Sequence, residues 1–143
     1  MTNPRMGKLY IEEAQGRMDL VRVAVKNQLW ATSVREAQEC VELFLKGALR
    51  VVAIESTRSH DVADVLRREA ARFPGWFQKE VEHLASISTE MSGDRGLAFY
   101  GDERQEIGPQ ELFDEKDAQR ALANLEYVAR QCTQLLRSSR QER

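Results

Sequence analysis

The chain has few of the residues that interrupt helices or favour strands. Among its 143 residues there are three prolines, and aromatics make up 7%, a composition that favours helices over many short strands. It has no apolar run of 18 residues and no leader with a charged start and an apolar middle, so the expected location is cytoplasmic. Two cysteines, Cys40 and Cys132, fall inside helical patterns and read as buried free thiols in that compartment. The net charge is −2, so no global basic field attracts a nucleic-acid backbone and strong DNA binding is not expected. Also missing are a Gly-rich phosphate loop, a metal-ligand cluster, a Cys–His dyad and a Ser–His–Asp set; no metal or cofactor is expected.

What is present is an ordinary globular balance, 42% hydrophobic and 31% charged, in a length that suits one domain over residues 1–143. The basic, polar end from Arg137 to Arg143 reads as a solvated helix end, with 138–143 as a flexible tail. A basic arm for phosphate is the other reading of the same residues.

Apolar spacing predicts about five helices. The first runs from Gly7 to Leu29. The second runs from a Ser33 cap, with Glu36 at capping-box spacing, to about Ala53, and has a polar stripe of Arg35, Glu39, Glu42, Lys46 and Arg50 beside its apolar one. Thr57-Arg58-Ser59 interrupts the pattern, and a third helix follows from His60 to about Phe73. Pro74-Gly75 precedes a fourth, Trp76 to Met91. Glycines at 93, 96, 101 and 108 with Pro109 predict a long loop from Gly93 to Phe113, a type of segment that is often functional. Asp114 caps the last helix, which ends near Arg137. Long amphipathic helices with short joints predict an all-α, up-and-down antiparallel bundle.

Few residues carry chemistry. Glu42 and Lys46 have the favourable i,i+4 order for a helical ion pair. The simpler reading is a surface pair; the functional one is that Lys46, with Arg50 a turn on, presents charge to phosphate. His60-Asp61 opens a predicted helix, where backbone N–H groups favour anions, and Arg58 adds charge to that start. Glu80-x-x-His83 has the spacing of half a di-metal site, but Thr57 stands where His60 would need its glutamate. Trp30, Trp76 and Phe77 read as packing residues. Phe99-Tyr100, in the predicted loop, is an aromatic pair that packs on the bundle or covers a ligand.

Three segments, in this order, resemble the HEPN family, named for nucleotide binding in higher eukaryotes and prokaryotes. Ala37-Gln38 ahead of Glu42 and Lys46 is similar to the family's second helix. Ser59-His60-Asp61-Val62 before Leu66 is similar to its His-Asp-Leu segment. Tyr100-Gly101-Asp102-Glu103, then Phe113-Asp114-Glu115 and Asp117-Ala118, look like the loop into its last helix. The resemblance implies a prokaryotic homodimeric helical bundle that binds a nucleotide or partners a nucleotidyltransferase. Its site candidates here are Lys46, Arg50, Arg58 and His60, supported by Glu42, Asp61 and Tyr100. Ribonuclease members, including toxins of toxin–antitoxin pairs, use an Arg, four to six intervening residues and a His. No Arg stands at that offset before His60 or His83. A catalytic role would then need a site assembled across the dimer; a purely structural interaction module is the third reading.

Overall fold

A computed structural model describes residues 3–55 and 58–141, with side chains to Ser139. Thr57, Glu142 and Arg143, named above in the chain break and the tail, lie outside the described residues. The described chain is helical, with no strand beyond a single bridge between Asp102 and Ile107. Four long helices form the bundle: α1 (Pro4–Lys26), α2 (Trp30–Val51), α5 (Val81–Tyr100) and α7 (Glu115–Gln141). Three short ones join them: α3 (Ala63–Arg68), α4 (Gly75–Gln78) and α6 (Pro109–Leu112), with a 3₁₀ turn at Ala70–Arg72. No helix among them is long and apolar enough to cross a membrane.

The long helices alternate in direction. Gly7 faces Gly47 and Val51, Arg95 reaches Gln38, and Arg120 reaches Glu90, so long helices that follow one another along the chain are antiparallel, while α2 and α7 run parallel, their C-terminal ends meeting at Val51 and Ser139. α2 is the central element, packed on α1, α5 and α7, and buries Phe44, Leu45 and Leu49 completely. Each such side chain contributes roughly 1.5–3 kcal/mol of burial free energy. Cys40 and Cys132 are free and buried. Desolvation is the main cause that pushes the Cys40 thiol up to about 12, and it raises Cys132 as well, so both are inert.

Several boundaries differ from the sequence expectation, each for a local reason. α1 starts at Pro4, behind an Asn3 side chain that accepts from the Arg5 N–H, and stops at Lys26, where Gln28 turns left-handed (φ 60). α2 therefore starts at Trp30, and Ser33 lies inside it with its hydroxyl on the Leu29 carbonyl at 2.8 Å. The third helix is shorter. It begins at Ala63, where the Asp61 carboxylate, two residues back, accepts from the Ala63 N–H at 2.9 Å, which leaves His60 in the segment ahead of the helix. The predicted loop from Gly93 is largely helix. α5 continues through Gly93 and Gly96 to Tyr100 because Met91 and Ala98 are buried against the bundle and Arg95 is held by α2. Tertiary contact offsets the roughly 0.5–1 kcal/mol that each glycine costs a helix.

α5 ends at Gly101 (φ 73), where a Cβ would stand 2.2 Å from the Ile107 carbonyl oxygen. Beyond it Asp102 and Ile107 exchange backbone hydrogen bonds of 2.8 and 3.0 Å, closing a short turn. The last helix starts as expected. Asp114 and Asp117 each accept from the other's N–H at 3.0 and 2.9 Å, a reciprocal cap. α7 continues through Gln141, so the described part of the expected tail is helical, with Ser138 and Ser139 bonded to the Leu135 and Leu136 carbonyls.

Candidate functional site

The polar stripe of α2 is the floor of a groove. α1 supplies Arg17 from one side, α5 supplies Arg95, Phe99 and Tyr100 from the other, and the segment ahead of α3 lays His60 across it. Two adjoining cavities result. One, of about 220 Å³, is lined by Arg17, Glu39, Glu42, Lys46, His60 and Arg95. The other, of about 370 Å³, is lined by Arg35, His60, Ser92, Arg95, Phe99 and Tyr100. His60 and Arg95 belong to both. Arg17, Arg35, Lys46 and Arg95 thus meet Glu39 and Glu42, with Arg17 also paired to Glu13 at 3.2 Å. Four cations therefore face three carboxylates in a chain whose net charge is −2, a small local positive excess that favours an anionic ligand.

Glu42 is the hub. Its Oε1 accepts from Gln38 Nε2 at 3.0 Å and from His60 Nδ1 at 2.8 Å, and its Oε2 accepts from Lys46 Nζ at 2.8 Å. Glu42 and Lys46 are 17% and 16% exposed, so this is a half-buried network and not the solvated pair of the simpler reading. Burial pushes the Glu42 carboxyl up, but the three donors together outweigh it and hold it below the usual carboxylate range. Because a carboxylate only accepts, His60 Nδ1 carries the proton and Nε2 is the nitrogen left for a ligand. Gln38, 2% exposed, continues the network by accepting from Arg95 Nη1 at 2.7 Å.

Glu39 is held more loosely. One of its oxygens stands 3.5 Å from both Arg35 and Arg95. The Arg35 guanidinium lies over the Phe99 ring, 3.9 Å from its centroid, and Phe99 packs edge-on against Tyr100. Ser92 Oγ, in the wall of the larger cavity, is buried and has no hydrogen-bond partner among the described residues.

The structure thus brings together Lys46, His60, Glu42 and, in the adjoining cavity, Tyr100. It does not bring in the other candidates. Arg50 turns toward α1, over the Tyr10 ring and 4.0 Å from Glu55. Arg58 is exposed and lines neither cavity. Asp61 is taken up by the fold: its carboxylate accepts from the Ala63 N–H, from Ser88 and from Thr89, so its own charge occupies the start of α3 where an anion was expected. Glu80 accepts from the Tyr127 hydroxyl and His83 stacks on the same ring at 4.3 Å, which accounts for both members of the Glu-x-x-His pair. Arg17, Arg35, Gln38, Glu39, Ser92 and Arg95 are site residues that sequence reasoning did not select. Arg95 is the notable one, because it places within this chain a cation beside His60.

Two further cavities, of about 320 and 500 Å³, lie at the opposite end of the bundle around Val51 and Ser139. Two of their cations are engaged, Lys8 by Glu12 and Arg72 by the Val52 carbonyl.

The family model described as HEPN domain matches residues 8–135, most of the chain. No curated protein and no solved structure matches it.

Proposed function

Since the chain belongs to the HEPN family, we propose that its groove is a nucleotide-binding site, in which phosphate meets Lys46, Arg95 and His60 and the base lies toward Phe99 and Tyr100. The observation that carries this reading is the convergence of Arg17, Arg35, Lys46 and Arg95 from three helices around one histidine, in cavities large enough for a nucleotide's parts. Side chains so far apart in sequence meet at one surface groove, an arrangement suited to a ligand. Lysine acts here as a point charge and arginine as a fork, while an exposed aromatic offers a face for stacking.

Calorimetric titration with mononucleotides and nucleoside triphosphates tests the proposal. Lys46→Ala is expected to weaken binding by roughly tenfold, the scale of one charge-assisted contact. If no nucleotide gives heat with the unaltered chain, the groove is not a nucleotide site. The partner-module reading, in which the chain serves a nucleotidyltransferase, would then take its place.

A further inference from the structure

The two carboxylates on the groove floor are bound in different ways. Glu42 receives three donors, none farther than 3.0 Å. Glu39 offers one oxygen, Oε1, to two guanidiniums, Arg35 Nη2 and Arg95 Nη1, each at 3.5 Å. That is well beyond the roughly 2.7–2.9 Å of a good charge-assisted bond. A pair of forked cations converging on a single oxygen leaves most of their donors unused.

Neither arginine depends on Glu39 for its position. Arg95 is fixed by Gln38 Oε1 at 2.7 Å, and that amide is itself buried. Arg35 is stacked on Phe99. Removing the Glu39 carboxylate therefore leaves both guanidiniums in place, with Arg95 lining both cavities and Arg35 the larger one. A phosphoryl group has more acceptor oxygens than this one carboxylate oxygen and matches the fork of each arginine.

The geometry assigns Glu39 as a resident anion in a two-arginine phosphate site: Arg35 and Arg95 form the clamp, and the ligand's phosphate replaces the Glu39 carboxylate between them. The assignment rests on the groove being the nucleotide site and adds where its phosphate sits and what must leave. Glu39 sets a threshold. Weak anions do not displace it, whereas a multiply charged phosphate does.

The probe is inorganic pyrophosphate, titrated calorimetrically into the full chain at fixed salt. Glu39→Gln is expected to bind about tenfold more tightly than the unaltered chain, and Glu39→Ala to do the same if the amide variant folds poorly. Glu111→Gln, which removes one charge at an exposed position outside both cavities, should leave affinity unchanged. Adding Arg35→Ala to Glu39→Gln should abolish the gain, because the clamp then lacks an arm. If the unaltered chain binds pyrophosphate and neither Glu39 variant binds it better, the role of Glu39 is overturned while the nucleotide reading stands. A gain that survives Arg35→Ala, or that Glu111→Gln reproduces, also overturns it. If pyrophosphate and nucleotides bind to no form of the chain, both readings fail together.

Discussion

Glu39 and Glu42 lie one turn apart on α2 and differ in how many donors reach them. For Glu42 the sum is a carboxyl held below its ordinary value, which links it to stability. A depressed folded pKa means that the unfolded state takes up the proton first as pH falls. The stabilisation is complete above the ordinary carboxylate pKa, near 4.5, and is lost as pH drops from there through the folded value. Glu42→Gln is expected to be less stable than the unaltered chain by roughly 1.5–3 kcal/mol at pH 7, the scale of hydrogen bonds to a charged group. The gap should narrow in melting curves taken below pH 4.5; a gap independent of pH would show that the network does not act through the charge of Glu42. At this scale the sequence was informative about neighbours on one helix and silent about the rest. Glu42–Lys46 is read from i,i+4 spacing. The partner His60 arrives from a separate segment, and Gln38–Arg95 joins α2 to α5, so no local periodicity encodes either. Arg50 shares the spacing of Lys46, yet its longer side chain finds Tyr10 and Glu55 instead.

Helices α1 and α2 cross at near backbone contact. A Cβ on Gly7 would stand 2.7 Å from both the Gly47 carbonyl oxygen and the Val51 nitrogen, whereas one on Gly16 meets nothing within 4 Å. The same substitution in one helix should then have opposite signs. Gly7→Ala is expected to destabilise by about 1–3 kcal/mol through overpacking, and Gly16→Ala to stabilise by about 0.5–1 kcal/mol through helix propensity. Denaturant unfolding of the two variants measures both; a stabilised Gly7→Ala would mean the crossing is looser than described. The existence of α1, α2 and α7 was legible because each carries a long apolar stripe. α5 was cut short in the sequence reading because Gly93 and Gly96 resemble a stop, and the contacts that override them are tertiary. That error hid Arg95. One signal was available: Arg95 and Tyr100 enclose four residues, the spacing of the family's Arg and His, with tyrosine in the place of histidine.

Across the whole molecule, alternating helix directions put the C-terminal end of α5 beside the first half of α2, and this juxtaposition makes the groove. The fold class was legible because helix type and short joints constrain a chain of this length to few bundles; the groove was not, because it depends on how three helices face one another. Leu97, Phe99 and Tyr100, near the end of α5, are 42%, 48% and 65% exposed, and the homodimer that the family resemblance implies is expected to use this apolar surface. Light scattering on the purified chain is expected to give twice the monomer mass, with Phe99→Asp shifting it toward the monomer. A monomer at all concentrations would overturn that expectation.

The buried amide of Gln38 gives the groove a direction. Its oxygen must face Arg95, which only donates, and its nitrogen must face Glu42, which only accepts. Turned the other way, the amide would set donor against donor and acceptor against acceptor. It also acts as an insulator: a neutral spacer between a cation and an anion that would otherwise neutralise each other. A linear ligand lying in the groove as proposed would therefore meet two unlike ends, a means of telling its head from its tail.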